Sequence, residues 1–426
     1  MFKLPTLASV ALCGALSFSA LSAQADTVTD WNAITMDAVT IARPGPQGML
    51  DVALVHIAVH DAIQAIEKRY EPYHFEVKGA KGSRSAAAAA AAHGVLTAIY
   101  PTQATTLDAT YATYLADHGL SGDEGLEVGQ KAAESIVTLR RATPNPAPAP
   151  FVGANEIGVW RPTESFIGTP PAPPSGAPMV TPWLADTVPF TLTSPRRFRA
   201  PPPPALTSLR YWRDYEEVKA LGAREGSART AQQTDLAYFY NDNFFAQWNR
   251  ALRGVAQSRA HRIGESARLF ALANMAGADA LITSWDSKRH YVFWRPLTAI
   301  REGDMDGHPW TVGDPTWQPL VNTPNYPDYT SGANSLVGAM TRTLTLFFGS
   351  DRGPLEVTSL HPQAVQKTRT YARFSQAADD VVEARILLGI HFRFADTAAR
   401  RQGEQVAEHA IEHFMLPLDR RNRRSH

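Results

Sequence analysis

Residues 49–66 read MLDVALVHIAVHDAIQAI, apolar on nearly every side at helical spacing. That pattern predicts a helix enclosed within a bundle rather than one lying on its surface. Asp51, His56, His60 and Asp61 interrupt it, which makes it a poor membrane span. An Ala-rich helix is expected over 83–100, where small side chains permit close helix packing. Further helical periodicity covers 105–117 and 123–141, then 206–221, 230–240, 244–257, 263–284, 335–348, 368–388 and 395–414. No strand alternation and no internal repeat is read anywhere. The expected fold is all-α, a helical bundle.

Between the two groups of helices the composition changes. Residues 144–204 hold 17 of the 31 prolines, four of them consecutive at Pro201 to Pro204. Proline fixes φ and lacks an amide donor, so this stretch is expected to be extended and irregular. It also carries Trp160, Phe166, Trp183, Phe190 and Phe198. Disordered linkers are poor in aromatics, so the segment is read as a wrap laid over the helices. The organisation is therefore a leader at 1–25, an N-terminal helical region at 26–143, a Pro-rich wrap at 144–205, a C-terminal helical region at 206–417 and a basic tail at 418–426.

The first 25 residues have Lys3, an apolar stretch and an Ala23-Gln24-Ala25 cleavage pattern before Asp26. This reads as a secretory signal peptide, which implies a periplasmic or secreted protein with no stable membrane anchor. Cys13 is the one cysteine, and it leaves with the leader. Disulfides, thiolate-held metals and a Cys nucleophile are then excluded from the mature chain. Forty-one basic and forty-one acidic residues balance, which argues against a nucleic-acid partner.

Three segments of the last third carry candidate chemistry. In the first, Lys288 and Arg295 stand seven apart, which on a continuous helix places them only about 20° apart. Two cations on one face among aromatics are costly to bury without an anion. In the second, a turn-rich run through Tyr326 ends in Ser331-Gly332, where a helix pattern begins. Ser caps such a start, its free amides attract anions, and Gly lets backbone come close to a ligand. In the third, Arg385 precedes Gly389 and His391, with Gly389 expected to break the helix and re-aim the histidine.

Taken together, K-x6-R-P, S-G and R-x5-H in that order resemble the vanadium-dependent haloperoxidases. The related type-2 phosphatidic acid phosphatases and bacterial acid phosphatases share the pattern. Residues 293–301 (FWRPLTAIR), 314–320 (DPTWQPL), 347–349 (FFG) and 389–392 (GIHF) extend the likeness, and 58–66 and 190–208 carry it into the N-terminal half. The resemblance implies a haloperoxidase-type helical bundle with vanadate, or phosphate, as the pocket's ligand. Lys288, Arg295 and Arg385 would hold its oxygens, Ser331 its hydroxyl contact and Gly332 an amide contact. His391 would bond to vanadium, or attack phosphorus in a phosphatase. Substrates implied are hydrogen peroxide with a halide or organic molecule, or a phosphate ester; a homodimer is also compatible. One position departs: the family's S-G-H reads Ser331-Gly332-Ala333 here, so its acid/base histidine is missing. Asn334, Tyr326 or a water are candidate substitutes. A non-catalytic oxyanion-binding protein is therefore a third reading. Tyr326 stands where haloperoxidases carry Phe or His, a position associated with halide preference.

Two other clusters are read as structural. His56, His60 and Asp61 have helical metal-ligand spacing but no third helical ligand. Asp304 and Asp306 begin like a calcium loop that His308 and the absence of Glu at the twelfth place do not continue.

Overall fold

The computed structural model describes residues 26–165, 176–260 and 262–419. The expected leader with Cys13, the aromatic Phe166 and most of the basic tail lie outside them.

The chain opens with α1 (Thr27–Ala42), started by a reciprocal capping box between Asp26 and Thr29. This helix is absent from the sequence reading because polar Asn32 and Thr35 sit on its buried face, blurring the apolar period. Four helices follow: α2 (Gly48–Glu67), α3 (Arg84–Ile99), α4 (Ala104–Asp117) and α5 (Gly125–Ala142). α2 is buried almost throughout, and the alanines of α3 let α2, α3 and α5 pack closely. Among the described residues α2 alone is long and apolar enough to cross a membrane, yet 94% of that stretch is covered by the protein itself.

Three polar interruptions of α2 are accounted for. His56 Nε2 lies 2.8 Å from the Asn32 amide, and His60 Nε2 lies 3.1 Å from the Glu71 carbonyl. The Asp61 carboxylate accepts the backbone N–H groups of Tyr73, His74 and Phe75. These residues hold chain to chain, as buried polar groups must. Asp304 and Asp306 likewise accept the Gly313 and His308 amides in a turn.

The Pro-rich wrap is bound to the helices. Trp160 and Phe190 are buried. The second group of helices comprises α6 (Leu209–Gly222), α7 (Ala231–Phe239), α8 (Phe244–Arg259), α9 (Ile263–Tyr291), α10 (Pro296–Arg301) and α11 (Gly332–Phe348). From the middle of α9, the Asp279 carboxylate accepts the Phe190 and Thr191 amides at 2.7 Å each and the Thr191 hydroxyl at 2.6 Å. A single buried side chain thus fastens the wrap to the central helix.

A hairpin then corrects the strand-free expectation. β1 (Arg352–Thr358) and β2 (Thr368–Arg373) pair antiparallel, with Leu355 opposite Tyr371 and Val357 opposite Arg369. The helix expected across 368–388 begins only at Phe374: α12 (Phe374–Leu387) follows β2 directly. Cross-strand pairing with β1, whose Leu355 and Val357 are buried, overrides the helical reading of 368–373. The last element is α13 (Arg393–His413). α9, α11 and α13 pack against one another through Ala276, Ala280, Ala339, Ala407 and Ala410, small residues that bring the three helices close.

Candidate active site

The C-terminal end of α9, the loop before α11 and the break between α12 and α13 meet at one buried point. Lys288, Arg295, Ser331 and His391 are all at most 1% exposed and Arg385 is 5% exposed. The shared helical face expected for Lys288 and Arg295 is not how they meet. α9 ends at Tyr291, Val292 turns left-handed at φ 48°, and Arg295 is the N-cap residue before Pro296 of α10. The turn, rather than helical spacing, aims the two cations together.

Both cations grip the loop that leads to Ser331. The Lys288 ammonium donates to the carbonyls of Pro327 at 2.6 Å and Asp328 at 3.1 Å. The Arg295 guanidinium donates to Tyr326 O at 2.7 Å and, from Nη1, to Ile390 O at 2.6 Å. The same Nη1 lies 3.1 Å from His391 Nε2. Arg295 therefore ties the serine loop to the histidine segment.

Gly389 breaks the chain after α12, as expected. It stands at φ 77°, and a Cβ there would lie 2.5 Å from the Gly222 carbonyl. Gly332 is required for a different reason from the one expected. Its missing Cβ would meet the Trp285 ring at 2.8 Å, so glycine serves packing against α9. Ser331 occupies the N-cap position of α11 without a side-chain capping bond, which also corrects the sequence reading. Its own amide is anchored instead to the Ala395 carbonyl at 3.2 Å.

Two carboxylates were missed from sequence. Asp328 Oδ1 lies 2.7 Å from His391 Nδ1 and 3.7 Å from Arg295 Nη1, with the aspartate fully buried. Asp396 is also fully buried and accepts the Asn334 amide at 2.7 Å. Their signals were present: an acid three residues before Ser331 and another five after His391. Asn334, a candidate substitute for the missing acid/base, is committed to Asp396. Tyr326, the other one, is partly exposed and lays its ring 4.7 Å from both Lys288 Nζ and Arg295 Cζ. Ala333 is partly exposed beside them.

Burial and charge shift His391, Lys288, Asp328 and Asp396. Desolvation, then the positive charges of Arg295, Lys288 and Arg385, push the His391 imidazole well below its ordinary range, so it is neutral. Desolvation and Arg295 also lower Lys288. Desolvation raises the Asp328 carboxyl to about 7, against the pull of Arg295 and Lys288, and raises Asp396 well above the carboxylate range.

The donor set fits a small oxyanion. Arg385 makes no hydrogen bond or salt bridge among the described residues; its Nε is enclosed without a partner, and Phe244 covers its Cζ at 5.2 Å. Arg295 Nη2 is enclosed and partnerless as well. Buried guanidinium donors without acceptors are costly, and a tetrahedral anion between them would satisfy both. No cluster of three or more His, Cys, Asp or Glu residues suited to a metal cation occurs among the described residues.

Comparison with known proteins bears on the fold that carries this cluster. Residues 268–420 match the family described as the VCPO second helical-bundle domain. The vanadium chloroperoxidase of Curvularia inaequalis is 26% identical over 287 residues, which take in 51% of this chain and 46% of that protein. The chain thus matches under half the length of that relative. Among solved structures, the first bacterial vanadium-dependent iodoperoxidase superposes with a TM-score of 0.73 at 21% identity, covering 93% of this chain and 98% of that one. The holo-type bacterial vanadium-dependent chloroperoxidase superposes at 0.70 with 18% identity, covering 88% and 93%. Residues 268–420 are thus similar to the VCPO second helical-bundle domain, and the protein as a whole has the helical fold of the vanadium haloperoxidases.

Proposed function

We propose that the protein is a vanadate-dependent peroxidase that uses hydrogen peroxide to oxidise a halide or an organic substrate. The observation that carries this reading is the enclosed, partnerless Nε of Arg385, in one charged cluster with a neutral His391 and the partnerless Nη2 of Arg295. Lys288, Arg295 and Arg385 would bind the oxygens of vanadate, with Ser331 and the Gly332 amide as further donors. Vanadate bound there supplies a Lewis-acid centre that activates hydrogen peroxide. Asp328 Oδ1, 2.7 Å from Nδ1 of His391, would favour the proton on that nitrogen, leaving Nε2, which Arg295 Nη1 approaches at 3.1 Å, as the unprotonated nitrogen that would meet the anion.

Peroxide plus halide plus one proton yields hypohalous acid and water, so the reaction consumes a proton. Ala333 cannot deliver it, and a positioned acid/base is worth about 10²–10⁴-fold. Slow turnover is therefore part of the proposal. The same neutral Nε2 fits a phosphatase nucleophile, which is the second reading; with no acid at 333, activated aryl esters with good leaving groups would react best.

One experiment separates the readings. Purified protein is incubated with orthovanadate and assayed for bromination of a phenolic dye, beside hydrolysis of an aryl phosphate. Vanadate-dependent bromination supports the peroxidase. Hydrolysis that vanadate inhibits supports the phosphatase and sinks the first reading. Anion binding with neither activity leaves a non-catalytic oxyanion binder. Export by the 1–25 leader, which would place the enzyme in the periplasm or outside the cell, belongs to the same proposal.

A further inference from the structure

A second concave site lies apart from the oxyanion cluster. It is a cavity of about 590 Å³ where the Pro-rich wrap, the start of α6 and the middle of α13 come together. Four arginines line it, Arg197, Arg199, Arg210 and Arg401, and no aspartate or glutamate does. In a chain whose charges balance, that concentration of one sign is a local feature. Arg199 is neutralised by Asp286 through contacts of 2.6 and 2.7 Å. Arg197, Arg210 and Arg401 form no salt bridge among the described residues. None of Lys288, Arg295, Ser331, Arg385 or His391 lines this cavity.

Three further observations point to an anionic occupant. Arg210 is the second residue of α6, where a cation opposes the helix dipole and an anion is favoured. The floor is aromatic: Tyr329 and Phe394 are buried, and the Tyr329 hydroxyl donates to the Pro201 carbonyl at 2.6 Å. The volume falls within the roughly 300–1,000 Å³ of small-molecule sites.

We propose that this cavity binds a small organic polyanion, with two or more carboxylate or phosphate groups engaged by Arg197, Arg210 and Arg401 and a compact body resting on Tyr329 and Phe394. Guanidinium forks engage either group in bidentate fashion, and three cations from three elements call for more than one acidic group. A larger ligand than orthovanadate is expected, because the oxyanion cluster is closed and this cavity is open.

Isothermal titration of the full chain at low ionic strength tests this, with citrate and pyrophosphate as probes and acetate as the monovalent comparison. Binding of either probe at least tenfold tighter than acetate is expected, and the stronger of the two identifies the preferred acidic group. The Arg210→Gln/Arg401→Gln double variant should lose at least tenfold in affinity, whereas Arg385→Met should leave it unchanged. Arg210 and Arg401 are exposed, so folding is expected to survive; the thermal midpoint checks it, and the single Arg210→Gln variant serves as a milder form. Binding no tighter than acetate, indifference to the double substitution, or loss in Arg385→Met would each overturn the proposal. So would a dimer that dissociates in the double variant, since the arginines would then serve a second copy of the chain.

Discussion

His391 Nδ1 sits 2.7 Å from Asp328 Oδ1, with both side chains shut away from solvent. The contact joins the imidazole to the loop that also presents Ser331, so the two halves of the proposed oxyanion site are positioned by one pair. Asp328→Asn should remove this polarisation while also deleting a negative charge next to the anion. Phosphate, which relies on the cations alone, should bind as well or better; vanadate, which also bonds to Nε2, should lose about 10–100-fold relative to phosphate. Competition titration of the two anions reads this ratio, and an unchanged ratio would contradict the role given to Asp328.

Arg385 offers a test in which stability and binding move in opposite directions. Its Nε is enclosed without a partner and it forms no salt bridge among the described residues, so the folded protein carries a buried, unpaired cation in the absence of anion. Arg385→Met is expected to stabilise the anion-free protein by about 1–3 kcal/mol while weakening vanadate binding by at least tenfold. Urea unfolding without anion and vanadate titration give the two readings. Destabilisation together with unaltered binding would show that Arg385 is a packing residue.

At position 333 the expectation concerns rate. Ala333→His places an acid/base on the second residue of α11, next to Ser331 and partly open to solvent. Turnover in whichever of the two assays is positive should rise about 10²–10⁴-fold, with a small change in oxyanion affinity. A rate that stays flat would mean that the missing proton donor is not what limits catalysis.

Part of the acid sensitivity should originate in α2, beside the part contributed by His391, which burial also holds well below its ordinary range. Burial lowers His56 to about 3 and His60 to about 4. An unfolded histidine titrates near 6.5. The folded pKa is the lower one, so the unfolded chain binds more protons below pH ~6.5 and stability falls as pH falls towards the folded value. Between pH 7 and 5 each histidine should contribute a loss on the order of 2 kcal/mol. Asp61 and Asp279, raised to about 6 by burial, act with the opposite sign between about pH 4 and 6, so the whole-protein curve is shallower. His56→Gln should reduce the stability difference between pH 7 and 5 by about that amount; an equal difference in both proteins would refute the assignment.

Much of this protein was legible in the residue order because the relevant physics is local. Helical periodicity marked α2, α3 and α9, and proline density marked the wrap between the two groups of helices. The spacing of Lys288, Arg295, Ser331, Arg385 and His391 marked the proposed oxyanion pocket by its resemblance to a known pattern, and a glycine break before His391 was foreseen. What tertiary structure alone decided depends on groups distant in sequence. Leu355 and Val357 turn residues 368–373 into a strand that helical periodicity could not reject. The left-handed Val292, rather than helical spacing, aligns Lys288 with Arg295. Asp328 and Asp396 gained their roles only when three cations were folded around them, because the ionisation and hydrogen bonding of a buried carboxyl are set by its neighbours in space. The arginine-lined cavity has the same origin: its residues are spread from 197 to 401, and only packing of the wrap against α6 and α13 makes them one surface.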